Sequence, residues 1–167
     1  MSDQPGLLTR CERSGVPLLL ARLILGGLFI KMGWAKIADP VAFLKLIRQY
    51  EMIPDANYLL LNGLAAVLPW IEIFCGLLII VGLALRGTAL LLAVVLVEFT
   101  FVVAMRAVGI YQAGDIPFCD IKFDCGCGTG EEFICSKLPQ NAGLLALSLY
   151  VLLSKSRRYC LRGDLFS

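Results

Sequence analysis

No histidine occurs in this chain. Its absence removes the commonest axial ligand to haem in membrane helices and argues against a haem site. Charge is scarce as well, at 17% of residues, where an ordinary soluble domain has about a quarter. The net charge of +2 is too small to suggest nucleic-acid binding. What is present is apolar: 59% of the 167 residues are hydrophobic and the mean hydropathy is +0.81. With its charges concentrated at the ends and in two loops, the chain reads as an integral protein of the lipid bilayer.

Four runs are long enough to span, a length of about 20 apolar residues with a range of about 17–25. They are roughly Val16 to Trp34, Tyr58 to Leu85, Thr88 to Tyr111 and Leu138 to Leu153. The expected fold is an all-α four-transmembrane-helix bundle over 16–154, between an N-terminal tail (1–15) and a basic C-terminal tail (155–167). The second run is over-long and should tilt or project, and Pro69 inside it should kink it. The first run holds Arg22 and Lys31 and lacks a small-x-small cleavage site, so it is expected to stay in the bilayer rather than act as a cleaved signal. Gly26, Gly27, Gly63, Gly76, Gly82, Ala89 and Ala93 are small residues expected where helices approach one another.

Lys and Arg counts set the orientation. Arg10, Arg13, Arg86, Lys155, Arg157, Arg158 and Arg162 fall on one face, against Lys36, Lys45, Arg48, Lys122 and Lys137 on the other. Both termini are therefore expected in the cytoplasm of a cell (inner) membrane protein, with the loop between spans three and four outside. In the first connection, Asp39-Pro40 reads as an N-cap with proline at the first helical position. Phe43, Leu46, Ile47 and Tyr50 then share one face, the pattern of a short interfacial helix or of one packed over the bundle mouth.

Glu72 and Glu98 lie near the middle of the second and third spans, with Arg22 roughly 5 Å in depth from the middle of the first. A lone charge at mid-bilayer costs at least about 2.5–3.5 kcal/mol and turns inward to a partner. Arg22 with Glu72 or Glu98 is thus expected to form a buried ion pair or triad. Such charges either fix helix register or serve a proton relay or a quinone site. Trp70, beside Glu72, suits the wall of a quinone-headgroup pocket, and quinone is the one cofactor candidate.

Four of the seven cysteines fall in one polar, Gly-rich loop, as Cys119, Cys125, Cys127 and Cys135. Four cysteines allow three disulfide connectivities. A Cys125–Cys127 bond closes a very small ring around Gly126, a strained arrangement suited to exchanging electrons with a thiol partner. Cys119 and Cys135 then form either a structural bridge or a second pair of a relay. Two purely structural disulfides are a competing reading. Zinc is another, although Cys-x-Cys is a poor knuckle for it. Cys75 reads as an inert core residue, and Cys11 and Cys160 flank spans on the cytoplasmic side.

The pattern Arg22-x3-Gly26-Gly27-Leu28-Phe29-Ile30-x2-Gly33-x2-Lys36-Ile37-x-Asp39-Pro40-x2-Phe43 resembles the opening of the DoxX-like and MauE-like membrane proteins. Tyr50-x3-Pro54 and Leu68-Pro69-x2-Glu72-x3-Gly76 are similar to that family's second helix. Cys125-Gly126-Cys127-Gly128, followed by Asn141, resembles the MauE Cys-x-Cys-Phe-Gly signature and its later Arg-Asn. Here Gly128 takes the place of the phenylalanine and Gln140 that of the arginine. The resemblance covers about Arg22 to Leu153 and implies a four-helix membrane protein. It further implies Cys125 and Cys127 as a redox pair, with Glu72 and Arg22 as intramembrane polar residues. MauE proteins are implicated in maturing a disulfide-rich dehydrogenase subunit beside a thioredoxin-like partner, and DoxX relatives are associated with quinone-linked complexes.

The leading expectation is a membrane component of an extracytoplasmic thiol–disulfide system, working with a thioredoxin-like or other disulfide-containing protein. A non-catalytic subunit or assembly factor with structural loop disulfides is the alternative, and a solute carrier using Glu72 and Glu98 is a third class.

Overall fold

Glycine, proline and one aspartate mark where the helices start and stop. The structure, a computed structural model, describes residues 15–49, 57–114, 116–124, 126 and 130–154. Helix α1 (Val16–Ala38) follows Gly15, whose positive φ of 73° turns the chain into the first helical turn. Asp39 then caps α2 (Pro40–Gln49) as expected: its Oδ1 accepts the Ala42 N–H at 2.9 Å and its carbonyl accepts the Phe43 N–H at 3.1 Å. Helix α3 (Tyr58–Val81) stops at Gly82, with φ of 84°. The Gly82 and Leu83 N–H groups both donate to the Leu78 carbonyl, a left-handed glycine cap. That cap ends the helix short of the expected Leu85.

Helix α4 (Leu85–Ala113) leads to a 3-10 turn (Phe118–Asp120) and a small antiparallel hairpin of β1 (Lys122–Asp124) and β2 (Glu131–Phe133). Helix α5 (Ile134–Leu153) starts earlier than the expected Leu138 and carries Pro139 inside it. The Ile134 N–H donates to the Ile121 carbonyl, so the hairpin feeds directly into the helix.

Among the described residues, three helices, α1, α3 and α4, are long and apolar enough to cross a membrane. The chain is mostly helical and reads as a multi-pass membrane protein. Helix α5 is less apolar because Ser136, Lys137, Gln140 and Asn141 occupy its first half. Around the four long helices the packing runs α1–α3–α4–α5, with α5 returning to α1.

The α1–α3 seam is the tightest. A Cβ on Gly26 would lie 2.6 Å from the Gly76 carbonyl, and one on Gly76 would lie 2.8 Å from the Gly26 carbonyl. Gly33 likewise sits against the Pro69 carbonyl. Such close backbone approach between membrane helices needs small residues. Gly27 and Gly63, expected in the same role, have nothing within 4 Å of a notional Cβ and take no part in it. Ala89 and Ala93 are buried as expected. Leu25, Phe29, Ile79, Leu92 and Leu96 fill the main core, while Val103, Ala107, Ile121 and Ile134 form a second cluster beneath the hairpin.

Candidate functional site

A run of apolar and small residues at helical spacing carries α1 along α3, and a lysine stands in that same seam. Leu18, Arg22, Leu25, Phe29, Gly33 and Lys36 are all buried. On α3, Leu61, Ala65, Pro69, Glu72, Gly76 and Ile79 face them. Lys36 Nζ pairs with Glu72 Oε1, and both side chains are 1% exposed. The Lys36 ammonium also lies 4.8 Å from the Phe99 ring centroid and 5.3 Å from that of Phe43. Aromatic faces and one carboxylate oxygen thus surround the cation. Glu72 Oε2 is buried with no hydrogen-bond partner among the described residues.

Arg22, expected to neutralise a mid-span glutamate, does something else. Its Nε donates to the Ile79 carbonyl at 2.8 Å and its Nη2 to the Ile80 carbonyl at 2.6 Å. It satisfies carbonyls at the C-terminal end of α3, where a cation is favoured by orphan carbonyls and the helix dipole. Lys36 takes Glu72 instead, because Gly33 lets α1 come close enough for that side chain to reach inward. Glu98 is exposed on α4 and Trp70 is exposed on α3. Arg22 and Glu72 are thus buried on α1 and α3 with different partners, while Trp70 and Glu98 are exposed on α3 and α4.

Above the buried pair lies α2. A cleft of about 190 Å³ is lined by Lys36, Asp39, Phe43, Leu46, Asp124 and Gly126. Gly126, between two cysteines in sequence, is held at φ of 71°, and a Cβ there would lie 2.8 Å from Leu46 Cδ2 and 3.5 Å from the Phe43 ring. Its N–H donates to Asp124 Oδ1 at 2.8 Å. Both the conformation and the space call for glycine. Phe43 consequently touches Lys36 on one side and the loop on the other. A neighbouring cleft of about 250 Å³ is lined by Leu46, Arg106, Lys122, Asp124 and Glu131, among others.

The loop base is anchored twice. Cys119 and Cys135 form a disulfide with a Cα–Cα distance of 5.0 Å, tying the 3-10 turn to the start of α5. Lys137 pairs with Glu132 at 3.2 Å, tying α5 to β2. With Cys119 and Cys135 bonded to each other, the four-thiolate zinc site is not formed. Cys125 and Cys127 lie outside the described residues, as do Cys11, Cys160 and Tyr50. Cys75 is free and buried in the core, as expected of an inert cysteine. Further along α5, Asn141 donates to Thr100 Oγ1 at 3.2 Å and Ser148 to the Ala89 carbonyl at 2.7 Å, joining α5 to α4.

Among known proteins, the family model described as methylamine utilisation protein MauE matches residues 14–154. No curated protein and no solved structure matches.

Proposed function

The chain belongs to the MauE family, and from that premise we propose that it is the membrane component of an extracytoplasmic thiol–disulfide system. Cys125 and Cys127 are its exchanging pair. The observation that carries this reading is the anchoring of the loop: Cys119–Cys135 holds its base, while Gly126 docks on Phe43 and Leu46. A bonded base leaves the Cys-Gly-Cys tip as the couple open to exchange.

In the exchange step a thiolate of a thioredoxin-like protein attacks one sulfur of the Cys125–Cys127 disulfide. A mixed disulfide forms and the other sulfur leaves as a thiolate. The partner's second thiol then resolves the mixed disulfide. The partner is oxidised to its disulfide and the pair is reduced to a dithiol, two electrons and two protons having moved together. The reverse direction uses the same atoms. Arg106 and Lys122 line the cleft beside Asp124, where cations favour thiolates at the adjacent tip. No step is routed through a quinone.

The same reading includes four spans, with both termini cytoplasmic and the cysteine loop outside. Helix α5 supports a fourth span by its arrangement: Lys137, Asn141 and Ser148 are buried, while Ala142, Gly143, Ala146, Leu149 and Leu153 are exposed. Ser136 and Gln140 are exposed near its start, but from Asn141 onward its polar side chains are buried and its outer face is apolar. On this topology α2 lies along the outer surface.

Cys127→Ser tests the exchange. It should trap a mixed disulfide between Cys125 and a thioredoxin probe whose one cysteine is activated as a disulfide with an aromatic thiol, which leaves as the thiolate, its second cysteine being replaced by serine, while Cys125→Ser leaves folded protein in the membrane without activity. The Cys119–Cys135 bond also favours a second reading, an assembly factor with a merely stapled loop. In that case Cys125→Ser removes protein and function together and no mixed disulfide accumulates.

A further inference from the structure

Apart from Arg86 in the first turn of α4, two charged side chains of the membrane-spanning helices are exposed. Glu98 is exposed on α4, in a stripe with Val94, Phe101 and Met105. Lys31 is exposed on α1, where α1 and α5 leave a groove of about 480 Å³ lined by Ile24, Leu28, Lys31, Gly143, Leu144 and Leu147, among others. Neither charge has an ion pair or hydrogen bond among the described residues. A charge facing hydrocarbon is unfavourable and is normally found against a partner.

The two sit at nearly the same depth. Gly33 abuts the Pro69 carbonyl, which sets the register of α1 on α3. Lys31 is then about 3 Å inward of that level and Glu72 about 4.5 Å inward, at 1.5 Å per residue. The ring of Phe99 meets the same Lys36 ammonium that Glu72 binds, which puts Glu98 beside the level of Glu72. Lys31 and Glu98 therefore match within about one helical turn, on different faces of the molecule.

We infer that the chain associates with further copies of itself, α4 of one copy seating in the α1–α5 groove of the next with Glu98 against Lys31. Copies inserted in the same sense are related by rotation about the membrane normal, which preserves depth, so the opposite charges stay level. Gly143 has nothing within 4 Å of a notional Cβ, leaving room in the groove for the branched and aromatic ridge of α4. A two-fold dimer is disfavoured, because it sets Glu98 against Glu98 or Lys31 against Lys31. The contact is head to tail, using different surfaces on its two sides.

The test uses full-length chain in phosphatidylcholine vesicles, with donor- and acceptor-labelled copies and energy transfer followed against protein-to-lipid ratio. Wild type should associate, and Glu98→Lys and Lys31→Glu should each weaken association about tenfold or more. The double reversal should restore it. Because a reversed charge can hinder insertion, copies bearing Phe101→Cys are also mixed with copies bearing Leu144→Cys in an otherwise wild-type chain. Oxidation should join unlike copies in preference to like ones. A wild type that stays monomeric at every ratio overturns the inference. So do single reversals without effect, a double reversal that fails to restore association, or Phe101→Cys cross-links formed chiefly between like copies.

Discussion

Glu72 and Glu98 lie at similar depth on neighbouring helices, and their surroundings are opposite. Glu72 is enclosed on the α1–α3 seam, with Lys36 on one oxygen and aromatic rings around that lysine. Glu98 stands one face away on α4, exposed. Depth in the bilayer therefore does not decide what an ionisable residue does; its position relative to the packing seam does. A seam charge must be matched inside the chain, because removing one partner strands the other in a low dielectric. A charge off the seam leaves the fold indifferent and belongs to whatever covers that face.

The largest expected effect follows from breaking the enclosed side. Lys36→Met should lose about 3–5 kcal/mol of stability in an unfolding titration in mixed micelles, and adding Glu72→Leu should recover most of it. If the double variant is no better than the single, the pair is not what holds the seam. Next comes the backbone contact beneath it. Gly76→Val drives a side chain against the Gly26 carbonyl and should cost about 1–3 kcal/mol, whereas Gly27→Ala, on the open face, should stay within about 0.5 kcal/mol. Equal effects from the two would erase the distinction between seam and surface. Asn141→Leu removes the hydrogen bond to Thr100 and should cost about 1 kcal/mol in the same titration. Smallest of all, Glu98→Gln should leave the unfolding midpoint unmoved while altering energy transfer between copies.

Much of this was legible in the chain, and the misreadings have physical causes. Composition and run length were enough for the membrane class, and Asp39-Pro40 for the start of α2. Run length puts Lys36 in a connection and hides it as the partner of Glu72, although 22, 26, 29, 33 and 36 follow alternating spacings of four and three. That stripe carries the seam through Lys36 and is the signal that identifies it. The same spacing test on α4 passes through Leu92, Leu96, Phe99 and Val103 and leaves Glu98 outside it. Gly27 and Gly63 lie off the seam for a related reason, since a small residue permits close approach but only the register determines whether a neighbour is there. Arg22 was assigned a carboxylate because chain order does not reveal that α3 ends beside it with carbonyls to satisfy. The apolar run that begins at Leu138 sets the start of α5 too late, because the hairpin and the Ile121–Ile134 hydrogen bond start the helix before it.

The loop offers a second pairing of unlike positions, a bonded base at Cys119–Cys135 and a tip around Gly126 whose backbone conformation only glycine adopts readily. Gly126→Ala should loosen the tip from Phe43 and Leu46 and speed alkylation of Cys125 and Cys127 in the reduced protein. Unchanged rates would mean that docking does not control access to the pair.

The most direct test of the exchange reading is a redox titration of the purified protein in detergent, with thiol alkylation and mass mapping of every cysteine at each potential. Exchange at the tip predicts that a Cys125–Cys127 bond opens well above about −300 mV, the range below which structural disulfides resist the glutathione pool, while Cys119–Cys135 persists. If both bonds persist below that potential, or Cys125 and Cys127 form no bond at any potential, the pair is not an exchanging couple and the loop is a stapled scaffold.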